Sequence, residues 1–127
     1  MGSFGMSAQC NRVAVEDGHT ESVAVKLKGK ARPEEIIAKW NEFRSLPQEM
    51  RLPSAPEQPV RYVTPRDRPQ PRFDAECGNG MTTTVGHLRP CGVLDWKFTA
   101  LSHNTIRGAA GAALLNAELL KVQGYLE

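Results

Sequence analysis

The 127-residue chain has little cysteine, little net charge and no long hydrophobic run, and each shortage excludes something. Its three cysteines, Cys10, Cys77 and Cys91, are odd in number and widely spaced, with no Cys-x-x-Cys. Neither a disulfide framework nor a structural zinc site is therefore expected. Free thiols fit a reducing compartment, so the expected location is the cytoplasm. No apolar stretch approaches the ~18 residues of a membrane-spanning helix, and no charged-then-apolar leader resembles a secretion signal. Lys and Arg number 16 against 14 Asp and Glu. That balance lacks the basic excess expected of a protein devoted to nucleic acid. Internal repeats are absent.

What is present fits one domain by length. Residues 1–7 read as a leader, 8–103 as the body of the domain and 104–127 as a terminal helical segment. Residues 11–15 and 21–28 read as strands, the second alternating Val23, Val25 and Leu27 with polar or small neighbours. Glu16, Asp17 and Gly18 supply turn chemistry between them. Pro33, followed by Glu34 and Glu35, suits a helix start, and Ile36, Ile37, Trp40 and Phe43 then share one face of a helix over 33–45. Seven of the nine prolines fall within 47–72, which predicts an irregular excursion with one short edge strand at 60–63. Asn79 between two glycines marks a turn suited to positive φ. Strands over 81–89 and 93–101 follow. The second has a covered face of Leu94, Trp96, Phe98 and Ala100, and a wetter one of Asp95, Lys97 and Thr99. A helix over 105–123 ends near Gly124. Strands do not alternate with helices as in a nucleotide-binding unit, so the expected class is α+β, a largely antiparallel mixed sheet with flanking helices.

Few residues stand out for chemistry. His19, placed between two strands, is either an ordinary surface turn histidine or a proton donor and acceptor, for which its pKa of ~6.5 is suited. Arg12, on the strand leading into the same turn, is either an exposed strand arginine or a bidentate clamp for a carboxylate. Asn104 and Thr105 read as helix caps, and the small residues from Gly108 to Gly111 allow close packing or the approach of a cofactor. None of the three cysteines has a nucleophile signature around it. His87 and His103 lack metal-ligand spacing, though His103 adjoins Asn104 and could line the same pocket. Arg61, Arg66, Arg68 and Arg72 cluster in the proline-rich stretch as an anion site, a solvated loop or a subunit contact.

Several motifs in order carry a resemblance that no single site carries. They are Arg12 to Glu21, Leu52 to Pro56, Asp67 to Arg72, Gly78 to Met81, His103 to Gly111 and Leu115 to Leu120. Through them, and over roughly residues 8–127, the sequence resembles aspartate-semialdehyde dehydrogenases of the archaeal and fungal branch. The resemblance implies a reversible, NADP-dependent conversion of L-aspartyl phosphate to L-aspartate 4-semialdehyde and phosphate, feeding lysine, methionine and threonine synthesis. It implies that His19 is the general acid/base, that Arg12 binds the substrate's α-carboxylate, and that Asn104 and Thr105 contact NADP. It also implies a homo-oligomer, dimer or tetramer.

The sequence departs from that family in two respects. The family's chain is much longer, and its glycine-rich phosphate loop and its cysteine in an Asn-Cys-Ser/Thr context are missing here. The expectation is therefore a C-terminal catalytic and dimerisation portion, inactive alone. The other reading is a non-catalytic self-association module. The terminal helix would pack on an absent cofactor domain and so expose Ile106, Leu114, Leu115, Leu119 and Leu120.

Overall fold

A computed structural model describes residues 10–126, so the leader expected over 1–7 lies outside the described residues. The core is a four-stranded mixed sheet in the order β1-β4-β3-β2. β1 is His19–Val25, β2 Val60–Val63, β3 Thr83–Pro90 and β4 Trp96–Ser102. β4 pairs antiparallel with both β1 and β3, while β2 runs parallel to β3 as the short edge strand foreseen at 60–63. The class is α+β, as the patterning predicts.

Local chemistry explains most of the elements. Helix α1, Pro33–Glu42, starts at its proline, and the Glu35 carboxylate reaches back 2.7 Å to accept the Arg32 N–H. It stops before residue 45, because Phe43 turns to ψ 126° and leaves its side chain half exposed. Trp40 stacks on Tyr62 and meets Phe98 edge to face, so α1 covers the sheet face carrying Val23, Trp96, Phe98 and Val85.

Three expectations are corrected. Residues 11–15 form no strand: the Val15 N–H is used on the Val13 carbonyl in a local turn that breaks the extended run, and Val13 stays 62% exposed. The second face of the sheet is not simply wet. Short helix α3, Pro71–Asp74, and the loop before it lie across that face, so near that a Cβ on Gly86 would stand 2.5 Å from the Arg68 carbonyl oxygen. Beneath them Leu101 and Thr84 are fully buried. Finally, the helix over 105–123 is two elements. A π-type turn, Ile106–Ala110, is closed by bonds from Gly108 N–H to the His103 carbonyl and from Ala110 N–H to the Thr105 carbonyl. Helix α4, Gly111–Val122, follows, and Gly124 ends the segment at φ 79°. Between α1 and β2 lies a further single-turn helix, α2, Leu46–Glu49.

Candidate functional site

At the start of β1 the chain forms an open hollow of about 350 Å³. Cys10, Arg12, Glu16, Gly18, His19 and Asn104 are among the residues that line it. Arg12 and His19 therefore share a hollow, but not on the hairpin expected of them. Arg12 sits in an irregular approach segment, turned by a Val15 N–H bond to the Val13 carbonyl. His19 is the first residue of β1 and pairs with Ser102.

That pairing determines the geometry. Asn104 follows β4 by two residues and folds back over the entrance to β1, where its Oδ1 accepts the Gly18 N–H at 2.8 Å. Gly18 has φ 109°, a conformation open mainly to glycine, and a Cβ there would stand 3.2 Å from the Pro71 side chain. Pro71 is held in turn by a buried ion pair. The Arg68 guanidinium donates two bonds of 2.6 Å to the Asp74 carboxylate, which also accepts the Gln70 N–H at 2.7 Å. Burial pulls the Asp74 carboxyl upward in pKa, but the guanidinium bonds and the Gln70 N–H outweigh it and hold the group below its ordinary value.

Asn104 and Thr105 are not the helix caps expected. Nδ1 of His103 accepts the N–H groups of both Thr105 and Ile106 at 3.3 Å. Nε2 therefore carries the ring proton and donates to Glu76 Oε1 at 3.2 Å. His103 is buried and serves as the cap, because its ring lies under the turn while Asn104 is engaged elsewhere. Thr105 is exposed and outside the lining of the hollow.

The arginine cluster is likewise dispersed. Arg68 is tied to Asp74, Arg61 donates to the Cys77 sulfur at 3.3 Å, and the guanidinium of Arg72 lies 5.7 Å from the Phe73 ring centre. His87 occupies an exposed bulge at φ 59°. The three thiols are free. N–H bonds from Leu94 and Val93, with Lys97 and Arg89 nearby, lower the pKa of Cys91, which lies outside the hollow. In sequence Gly18 reads only as turn chemistry, and Pro71 only as one of the prolines of the excursion; their part in the site is missed. A glycine directly before His19 was the available signal for the first, and nothing in sequence links Pro71 to position 18.

A mixed sheet with helices on its faces and a polar hollow at the head of an edge strand is an α+β layout, not that of a nucleotide-binding βαβ unit. The chain belongs to the semialdehyde dehydrogenase dimerisation-domain family, whose model matches residues 1–107. It is 46% identical over 120 residues to the aspartate-semialdehyde dehydrogenase of Methanothermobacter thermautotrophicus, covering 93% of this chain and 35% of that one. It is 38% identical over 124 residues to malonyl CoA reductase (NADP) of Metallosphaera sedula, covering 96% and 35%. The crystal structure of aspartate semialdehyde dehydrogenase with NADP from Candida albicans superposes with a TM-score of 0.77 at 38% identity, over 87% of this chain and 31% of that one. The chain thus spans about a third of the length of the relatives it matches.

Proposed function

We propose that this chain supplies the acid/base and carboxylate-binding groups of an NADP-dependent aspartate-semialdehyde dehydrogenase, interconverting L-aspartyl phosphate and L-aspartate 4-semialdehyde plus phosphate. The observation that carries the reading is the convergence of Arg12, His19 and Asn104 on one hollow. They come from two segments far apart in the chain, and the family similarity covers both.

The roles follow from the chemistry of the groups. The Arg12 guanidinium is a planar fork able to hold the substrate α-carboxylate by two hydrogen bonds. The His19 imidazole takes the proton of the attacking thiol and returns one to the oxygen of the tetrahedral adduct. That thiol comes from outside this chain, since none of its cysteines has the Asn-Cys-Ser/Thr context. Cys10 shares the hollow but precedes Asn11 and Arg12 instead. Asn104 fits the amide end of the cofactor. Its Oδ1 is occupied by Gly18, so its NH2 group is the part left to donate to a ligand. Thr105, exposed beside it, is assigned a second cofactor contact. Bound NADP supplies the hydride chemistry.

Without its own activated thiol, the 127-residue chain alone is expected to be inactive. Joined to a cofactor-binding portion, it should support phosphate-dependent NADPH formation from aspartate semialdehyde. Faster turnover of malonyl-CoA than of aspartate semialdehyde by that protein would overturn the substrate assignment. A self-association role is supported independently by the match to a dimerisation domain and by the uncovered leucines of α4.

A further inference from the structure

We propose that Asn104 is a positioning residue for His19: its Oδ1 pins the Gly18 amide and so fixes where the histidine enters β1. The proposal rests on the acid/base role given to His19 above. A cofactor contact alone would leave the Asn104 oxygen without a task in the protein. The structure gives it one, a 2.8 Å bond from the Gly18 N–H across 86 residues of sequence.

Three features make this bond a strut for the histidine. Gly18 is buried while His19, its neighbour, is exposed to the hollow, so the peptide between them is the point at which the chain emerges. On one side Gly18 abuts Pro71, which blocks movement in that direction. On the other the Asn104 carboxamide is the polar partner of its N–H, and without it this amide would be left unpaired in a buried position. The β1–β4 ladder fixes His19 opposite Ser102, and Asn104 closes the next step beyond the end of that ladder. Because Oδ1 must face the N–H donor, the amide orientation is also determined, and the NH2 group is turned away from Gly18. One carboxamide thereby links the peptide that carries the base to the side on which a cofactor would be sensed.

The test separates the two ends of the carboxamide. Asn104→Leu matches the side chain in size and accepts no hydrogen bond, whereas Asn104→Asp keeps an oxygen for Gly18 and loses the NH2. In the isotope-labelled 127-residue chain, the Gly18 amide should exchange with solvent about tenfold faster in Asn104→Leu and near the parent rate in Asn104→Asp. The amides of Thr84 and Leu101 report whether the sheet is intact, and Asn104→Ala substitutes if the leucine variant disturbs it. In a dehydrogenase of the relatives' length, Asn104→Leu should lower kcat about ten- to hundredfold with little change in the KM for aspartate semialdehyde. Asn104→Asp should raise the KM for NADP and lose clearly less kcat than Asn104→Leu. An unchanged Gly18 exchange rate in Asn104→Leu, or equal loss of kcat in both variants, overturns the proposal. The expected exchange pattern, together with no turnover by any form including the parent, supports the strut and overturns the dehydrogenase reading instead.

Discussion

Arg12 and Asp74 illustrate two ways a single charge is used. Arg12 lines an open hollow, and in the role proposed for it Arg12→Lys should raise the KM for aspartate semialdehyde about tenfold or more in an intact dehydrogenase while kcat changes little, because an ammonium cannot form the two-pronged contact. Steady-state kinetics at saturating NADP would reveal this, and an unchanged KM would remove Arg12 from the substrate site. Asp74, only 1% exposed, acts by holding its segment in place. Asp74→Asn leaves the Arg68 guanidinium without its countercharge and should destabilise the chain by about 3 kcal/mol, seen as a Tm lower by about 10 °C. Since the folded carboxyl titrates below its unfolded value near 4, its contribution is complete above that value and is lost as pH falls through the folded pKa. Urea titrations across that range should show a shallower acid limb in Asp74→Asn than in the parent. Thr84 offers the opposite experiment. Its hydroxyl is buried with no hydrogen-bond partner among the described residues, so Thr84→Val should stabilise the chain by about 1 kcal/mol in urea unfolding. Destabilisation by Thr84→Val would mean that the hydroxyl has a partner after all.

The elements differ in how far the sequence announces them. β4 and the second half of β1 alternate, and α1 carries its proline and glutamates at the start, so local chemistry and tertiary structure agree. Val13 and Val15 alternate as well, but the folded segment turns on itself through the Val15 N–H bond to the Val13 carbonyl and leaves both side chains exposed, and no periodicity records that. The start of the terminal helix failed for a related reason: the cap came from the ring of a buried histidine, not from the residue types that usually supply one. The hollow was the least legible part. Arg12 and His19 are close in sequence, yet only the folded chain brings Asn104 against them, and before folding that meeting could be anticipated only through resemblance. The turn at residues 78–80, by contrast, has positive φ at all three positions, as its composition suggested. It also seats the π-type turn. A Cβ at Gly80 would stand 2.8 Å from the Ile106 side chain in a backbone at φ 75°, so Gly80→Ala should cost about 2 kcal/mol and loosen the junction leading to α4. Denaturant midpoints would measure the cost, and faster exchange confined to residues 103–110 would locate it.

At the scale of the whole molecule, the terminal helix remains largely uncovered. Leu114 is 56% exposed and Val122 59%, and no residue of α4 is buried. Fully burying an exposed aliphatic side chain is worth ~1.5–3 kcal/mol, so covering what remains open on this helix gives an incentive to find a second surface. Light scattering after size exclusion should therefore give at least a dimer for the isolated chain, and a Leu114→Glu, Leu120→Glu double variant should shift it towards monomer. A monodisperse monomer for the parent would refute self-association through α4. Glu118 accepts from both the N–H and the hydroxyl of Ser54, so α4 is anchored there while Leu114, Leu120 and Val122 remain open.

The ladder between β1 and β4 also works as a ruler. His19 stands opposite Ser102, and successive side chains of a strand alternate between the two sides of the sheet. One residue inserted within β1 would therefore change the phase of everything before it, carrying the imidazole through to the side roofed by Arg68 and Pro69. The same insertion in the lysine-rich loop after Val25 would leave it where it is. Distance from the hollow is thus a poor guide to which insertions this chain can absorb, and parity along its outermost strand is a better one.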